Sequence, residues 1–263
     1  MEMGTVSTLS IAGMTVSLLI AVLLPIVLCI VVRKKTKAKF SSLFLGCATF
    51  VVFALVLEQI LHMVVLRVTG TTLTGNIWLY ALYGGAAAAV FEETGRIITM
   101  KFIMKKNLNR ENALMYGVGH GGVEAILIIG LAQISNIATA IMINSNQMGM
   151  VLNVLDEKQK AATIESLSTL WTTPGYMFFM GGIERVSAII LQIALSVFVY
   201  AGIKQGKKLI VIMAYVLHFT VDFLVVVAAD KLPVMVVEAV LLLASVLLGL
   251  VATKLYKKEE TGA

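Results

Sequence analysis

The feature that most limits how this chain can fold is a series of long apolar runs separated by short polar segments. About 20 consecutive apolar residues form a helix long enough to cross the hydrocarbon core of a bilayer. Seven runs of this kind occupy residues 9–32, 41–66, 76–102, 112–143, 174–203, 209–229 and 233–255. The sequence therefore predicts an all-α, polytopic membrane helix bundle of about seven transmembrane helices, with residues 1–263 forming a single transmembrane domain.

The composition excludes several other classes of protein. Of the 263 residues, 59% are hydrophobic and 14% are charged, whereas soluble domains have about 45–50% apolar and about 25% charged residues. A soluble enzyme and a disordered chain are therefore excluded. The basic residues behind the net charge of +6 are dispersed over several segments, whereas a nucleic-acid-binding domain would gather them on one surface. We expect the lipid bilayer as a partner and no nucleic acid.

The distribution of Lys and Arg predicts the orientation of the chain. No basic residue precedes the first apolar run, and five follow it directly within residues 33–39. If successive runs cross in alternate directions, fifteen of the 21 basic residues fall on one side and four on the other. Cytoplasmic loops carry the excess of positive charge. We therefore expect the N-terminus and a long loop at about 144–173 outside, and the C-terminus inside.

Ionisable side chains fall inside the third, fourth and sixth apolar runs. They are Glu92, Glu93, Arg96, His120, Glu124, His218 and Asp222. Counted from the predicted cytoplasmic ends of the helices, Glu92 and Glu93 in the third run, His120 in the fourth run and His218 in the sixth run all lie about 12 to 15 Å deep. Each run also has two such residues four apart, which places them on one helical face. Because ionisable groups in a span usually face a cavity or a partner, we expect one shared buried site.

The adjacent acids Glu92 and Glu93 are expected to have different roles. Neighbouring residues on a helix point about 100° apart, so both cannot face one small pocket equally. Arg96 can pair with Glu92 at a spacing of four or with Glu93 at a spacing of three, and the unpaired acid is then free to titrate. The residues alone leave both assignments open.

These residue types fit two mechanisms of peptide hydrolysis. In one, a glutamate acts as general base towards water, while histidine and aspartate stabilise the oxyanion. In the other, His120 and His218 hold zinc together with Glu124 or Asp222. The helical HExxH motif is absent, so we prefer the glutamate mechanism without a cofactor and keep zinc as the alternative.

Two alternatives belong to other functional classes. Intramembrane acids and histidines also form the pathways of ion or metal transporters, although the chain lacks the internal repeat that many transporters have. A non-catalytic scaffold or immunity protein is the second alternative. A further polar set nearer the outer side, Glu58 with His62 and Glu184 with Arg185, is interpreted as scaffold or substrate gate.

Three short motifs carry a resemblance to a known family. Residues 91–96 read FEETGR, residues 116–124 read YGVGHGGVE, and residues 218–222 read HFTVD. In this order they resemble the YhfC family of bacterial membrane proteins, which is similar to the CAAX-processing and bacteriocin-processing (CPBP, Abi) proteases and to the PrsW proteases. The resemblance implies an intramembrane endopeptidase of the bacterial cytoplasmic membrane that acts on a membrane peptide or protein.

The resemblance also implies roles for individual residues. It implies Glu92 or Glu93 as the base that activates water, with a slight preference for Glu92, and His120 as its partner. It implies His218 and Asp222 as the pair on the oxyanion side, although the related motif often has Asn at the last position. Two further residues, Arg96 and Glu124, are assigned supporting roles.

Overall fold

The computed structural model describes residues 3–258, and within this range it contains seven long helices and no β-strand. They are α1 (Thr8–Thr36), α2 (Phe40–Thr69), α3 (Ile77–Ile98, continued by the π-helical segment Thr99–Ile103), α4 (Arg110–Asn144), α5 (Met177–Lys204), α6 (Lys208–Lys231) and α7 (Val234–Lys258). Three shorter helices, Thr71–Thr74, Gly149–Leu152 and Glu157–Thr172, lie in the connections. Each predicted apolar run therefore forms a helix, and the all-α prediction is confirmed.

Six of these helices are long and apolar enough to cross a membrane, namely α1, α2, α4, α5, α6 and α7. Helix α3 has a comparable length, but Glu92, Glu93 and Arg96 lower the hydropathy of its C-terminal half. The chain is thus a multi-pass membrane protein. A total of seven crossings and the orientation of the termini stay predictions.

Polar side chains fix where several helices begin. The side chains of Ser7, Asn76 and Asn109 accept hydrogen bonds from backbone N–H groups in the first turns of α1, α3 and α4. These N–H groups have no partner inside the helix, so a capping oxygen stabilises the helix start. The helices that carry the acids and His120, α3 and α4, are thus both capped at their starts.

Helices α4 and α5 occupy the centre of the bundle. Nearly every residue of 112–125 in α4 is buried, as is most of 185–202 in α5. Gly119 allows α2 to approach α4 backbone to backbone, since a Cβ atom there would lie 2.0 Å from the carbonyl oxygen of Leu43. The apolar outer faces of α1, α2, α6 and α7 remain exposed, as expected of surfaces that face lipid.

The last two helices are supported by different neighbours. Helix α6 packs on α3, where a Cβ atom at Gly85 would lie 3.1 Å from the carbonyl oxygen of Phe219. Helix α7 packs mainly on α5. Only Leu232 and Pro233 connect α6 to α7, so the two helices run side by side in opposite directions.

Two of the long helices contain internal π-helical segments, Val51–Glu58 in α2 and Ile126–Gly130 in α4. π-Helical segments are rare in proteins overall, and those that occur are often found at functional sites. The segment in α4 begins two residues after Glu124, and the segment in α2 ends at Glu58, which is buried. Each therefore adjoins an acid inside the bundle.

Candidate active site

The structure brings the seven ionisable residues predicted from the third, fourth and sixth runs into one cluster. Glu92, Glu93 and Arg96 come from α3, His120 and Glu124 from α4, and His218 and Asp222 from α6. Six of the seven are buried, and the side chain of Asp222 is 32% exposed. The convergence of three helices on one buried site, predicted from depth and spacing, is what the structure shows.

Glu92 lies at the centre of this cluster. Its Oε2 atom is 2.9 Å from Nε2 of His120 and accepts a hydrogen bond of 2.9 Å from the side-chain amide of Gln192. The Nε2 atom of His218 lies 4.0 Å away. A single carboxylate oxygen is therefore approached from α4, α5 and α6.

Glu93 has different partners from Glu92, apart from His218, which lies near both acids. It forms an ion pair with Arg96, and its Oε1 atom lies 2.8 Å from Nδ1 of His218. The pairing is thus between residues three apart and not between Glu92 and Arg96, which settles the choice that the sequence left open. Glu92 is the acid that lines a cavity, whereas Glu93 is completely buried against its partners.

Two residues of α5 complete the cluster, and the sequence analysis did not assign them to it. The side-chain N–H groups of Gln192 donate hydrogen bonds to Glu92 and, at 3.0 Å, to Glu124. The side-chain amide oxygen of Gln192 accepts a hydrogen bond from Arg96. Arg185 donates a hydrogen bond of 3.0 Å to Glu124. The only sequence signal for Gln192 is that it places an amide within an apolar run. Polar groups inside a membrane span are costly and usually have a functional role.

A cavity of about 130 Å³, here called the polar cavity, opens beside these groups. Its polar lining consists of Glu92, Glu124, Glu184, Arg185, Gln192, His218 and Asp222, and its apolar lining includes Val221, Val225 and Leu241. This volume holds a few water molecules at about 30 Å³ each. Glu92, Glu124, His218 and Asp222 therefore face one space that is large enough for several water molecules.

Three side chains lie close enough together that they could hold a metal ion. Ligand atoms of Glu92, His120 and Glu124 all lie within 4.8 Å of one another. Three protein donors with a further position open is the pattern of catalytic zinc. His120 also has a buried Nδ1 without a hydrogen-bond partner in the described structure, so its ring can adopt the tautomer that a ligand needs.

This donor set differs in one member from the zinc ligands predicted from the sequence. His120 and Glu124 belong to it, but Glu92 takes the place expected for His218. The Nδ1 atom of His218 points at Glu93, and its Nε2 atom lies 3.4 Å from Asp222. His218 therefore faces the polar cavity beside the donor set and outside it.

The second polar set divides between two places. His62 lies 3.2 Å from Glu58, and its other ring nitrogen is hydrogen-bonded at 2.7 Å to the hydroxyl group of Tyr83 on α3. This tie between α2 and α3 fits the interpretation as scaffold. Arg185 instead pairs with both Glu184 and Glu124, which connects this half of the set directly to the candidate site.

Comparisons with known proteins show which family the chain resembles. A family model described as YhfC intramembrane metalloprotease matches residues 20–242. The membrane protein YhfC of Bacillus subtilis (strain 168) is 41% identical over 202 residues, which cover 76% of this chain and 77% of that protein. No solved structure matches the chain significantly.

Proposed function

The chain belongs to the YhfC intramembrane metalloprotease family, and from this premise we propose that it hydrolyses a peptide bond of a membrane-embedded polypeptide with the help of zinc held by Glu92, His120 and Glu124. The observation that carries the proposal is the approach of these three ligand groups to within 4.8 Å, inside a bundle of apolar helices. The description of the family as metalloproteases favours zinc over the metal-free glutamate mechanism.

The chemistry of the donor groups fits zinc. Imidazole and carboxylate ligands suit zinc, whereas magnesium and calcium prefer oxygen ligands alone. The cluster holds five carboxyl groups, those of Glu92, Glu93, Glu124, Glu184 and Asp222, beside the two arginines Arg96 and Arg185. A zinc ion bound there supplies Lewis acidity towards a water molecule and a peptide carbonyl group.

The other residues orient the reacting groups. Gln192 fixes the carboxylates of Glu92 and Glu124 through its amide N–H groups. His218 faces the polar cavity between Glu92 and Asp222 and is fixed from behind by Glu93. In the proposed reaction it donates a hydrogen bond to the substrate carbonyl oxygen or passes a proton to the leaving amine.

The test combines zinc content with cleavage in purified protein in lipid nanodiscs. We expect one zinc per chain in the parent protein and its loss in Glu92→Gln, His120→Gln and Glu124→Gln. Glu58→Gln is the matched control, because Glu58 is an equally buried acid outside the donor set. Cleavage of a pool of labelled transmembrane peptides should stop when a chelator removes zinc and return when zinc is restored.

Two results would overturn parts of the proposal. Cleavage by zinc-free protein that still requires Glu92 would assign that residue the role of general base. Zinc or proton flux into proteoliposomes without any peptide cleavage would favour a transporter.

A further inference from the structure

An apolar cleft lies between α6 and α7 on the outer surface of the bundle. It has a volume of about 460 Å³ and is lined mainly by aliphatic side chains, among them Leu224 and Val240, with Lys231 and Leu232 at one end. Leu224 is 55% exposed and Val240 is 60% exposed. In a membrane protein an exposed aliphatic cleft of this kind opens to the lipid phase.

The apolar cleft adjoins the polar cavity. Val221, Val225 and Leu241 line both spaces. Three aliphatic side chains are therefore the wall between the lipid-facing surface and the candidate metal ligands. No polar side chain of the described residues is common to the two linings.

The supports of α6 and α7 explain why this cleft exists. Each helix packs mainly on a different neighbour, α6 on α3 and α7 on α5. Their facing sides are thus not required to interdigitate for the bundle to hold together. A guest can occupy the space between them without displacing the helices that carry Glu92, His120 and Glu124.

We propose that the apolar cleft is the docking site for a transmembrane segment of a protein substrate, whose backbone then passes Val221, Val225 and Leu241 to reach the polar cavity. This inference rests on the proposed hydrolysis. The cleft extends along α6 from residue 221 to residue 232, which is about 16 Å or three helical turns. It therefore holds half of a spanning helix and leaves the rest of the segment in lipid.

The position of the polar cavity favours a polypeptide over an acyl chain. A helix must unwind before its peptide bonds are accessible, and unwound backbone inside a membrane needs polar partners or a water-filled cavity. The acids, amide and imidazole beyond the aliphatic wall are such partners. An acyl chain gains nothing from them, because it carries no group to pair.

The test uses a peptide of about 22 leucine and alanine residues with a central glycine pair and a photoreactive diazirine, reconstituted with the full chain in bilayers. We expect photolabel to map to the lining of the apolar cleft and to fall several-fold in Leu224→Trp. Leu23→Trp is the matched control, since Leu23 is 51% exposed on the lipid face of α1 and lines another apolar groove. Val240→Trp fills the cleft from the opposite wall as a second variant.

The outcomes separate this inference from the proposed function. Equal labelling of the cleft and the α1 groove, equal loss of labelling in Leu224→Trp and the control Leu23→Trp, or labelling of the cleft only by a diazirine phospholipid would overturn the docking site. Zinc content is measured in the same samples and should match the parent in Leu224→Trp. Specific labelling of the cleft by a peptide that is never cleaved would leave the docking site standing and count against the hydrolase.

Discussion

Replacing Gln192 by methionine removes an amide from the centre of the cluster while nearly conserving volume. In the parent protein this amide donates hydrogen bonds of 2.9 and 3.0 Å to Glu92 and Glu124 and accepts one from Arg96. Methionine cannot replace any of the three. Two carboxylates that are proposed zinc ligands then lose the donor that holds them at a fixed separation.

The loss of these three hydrogen bonds is expected to lower both the free energy of unfolding and the affinity for zinc. Interhelical hydrogen bonds in membranes average about 0.6 kcal/mol, so the loss of three lowers the free energy of unfolding by about 2 kcal/mol. Loss of a group that orients metal ligands typically weakens metal binding about 10- to 100-fold. Since each tenfold change corresponds to about 1.4 kcal/mol, zinc binding weakens by about 1.4 to 2.8 kcal/mol.

A competition titration with a coloured chelator in nanodiscs measures the zinc affinity of Gln192→Met. Gln133→Met is the control, because Gln133 is a buried glutamine of α4 whose only described side-chain partner is Asn136. We expect the control to bind zinc like the parent. An unchanged Kd in folded Gln192→Met would refute the argument that this amide positions the ligands.

Three further predictions concern packing, charge and topology. Gly119→Ala should reduce the folded yield sharply, because the new Cβ atom would clash with the backbone of Leu43. Gly84→Ala should leave the yield unchanged, because no atom lies within 4 Å of the new Cβ atom. Size-exclusion profiles of the two variants test this difference. In zinc-free protein, Arg185→Met should lower the free energy of unfolding by about 3 kcal/mol by leaving the buried charge of Glu124 unpaired. The added change Glu124→Leu should recover most of that loss in a denaturation assay of the same zinc-free protein. In a cysteine-free chain, Ser145→Cys should react with an impermeant maleimide from outside the cell; reaction only after permeabilisation would reverse the predicted orientation.

The seven helices could be predicted because each depends on a local property. A run of about 20 apolar residues forms a helix in lipid whatever its neighbours are, since its backbone has no other hydrogen-bond partners there. The basic residues after the first run illustrate the limit of this signal. Helix α1 continues through Arg33, Lys34 and Lys35, because cations favour a helix C-terminus even where hydropathy ends.

The site was predictable where residues of one helix share a face and not where contacts cross the bundle. Spacing and depth brought the acids and histidines to one level. They gave no means to choose between the two partners of Arg96, because Gln192, 96 residues further along the chain, also binds that guanidinium group. The bond from Arg185 to Glu124 likewise depends on how α4 and α5 pack. Such long-range choices are made by tertiary packing.

The two-residue connection at Leu232 and Pro233 holds the adjacent ends of α6 and α7 close together. Any separation of the two helices therefore has to grow with distance from this connection. At residue 221, about 16 Å away, a swing of about 10° widens the gap by only about 3 Å. An opening of this size beside Asp222 is wide enough for an extended strand and too narrow for an intact helix.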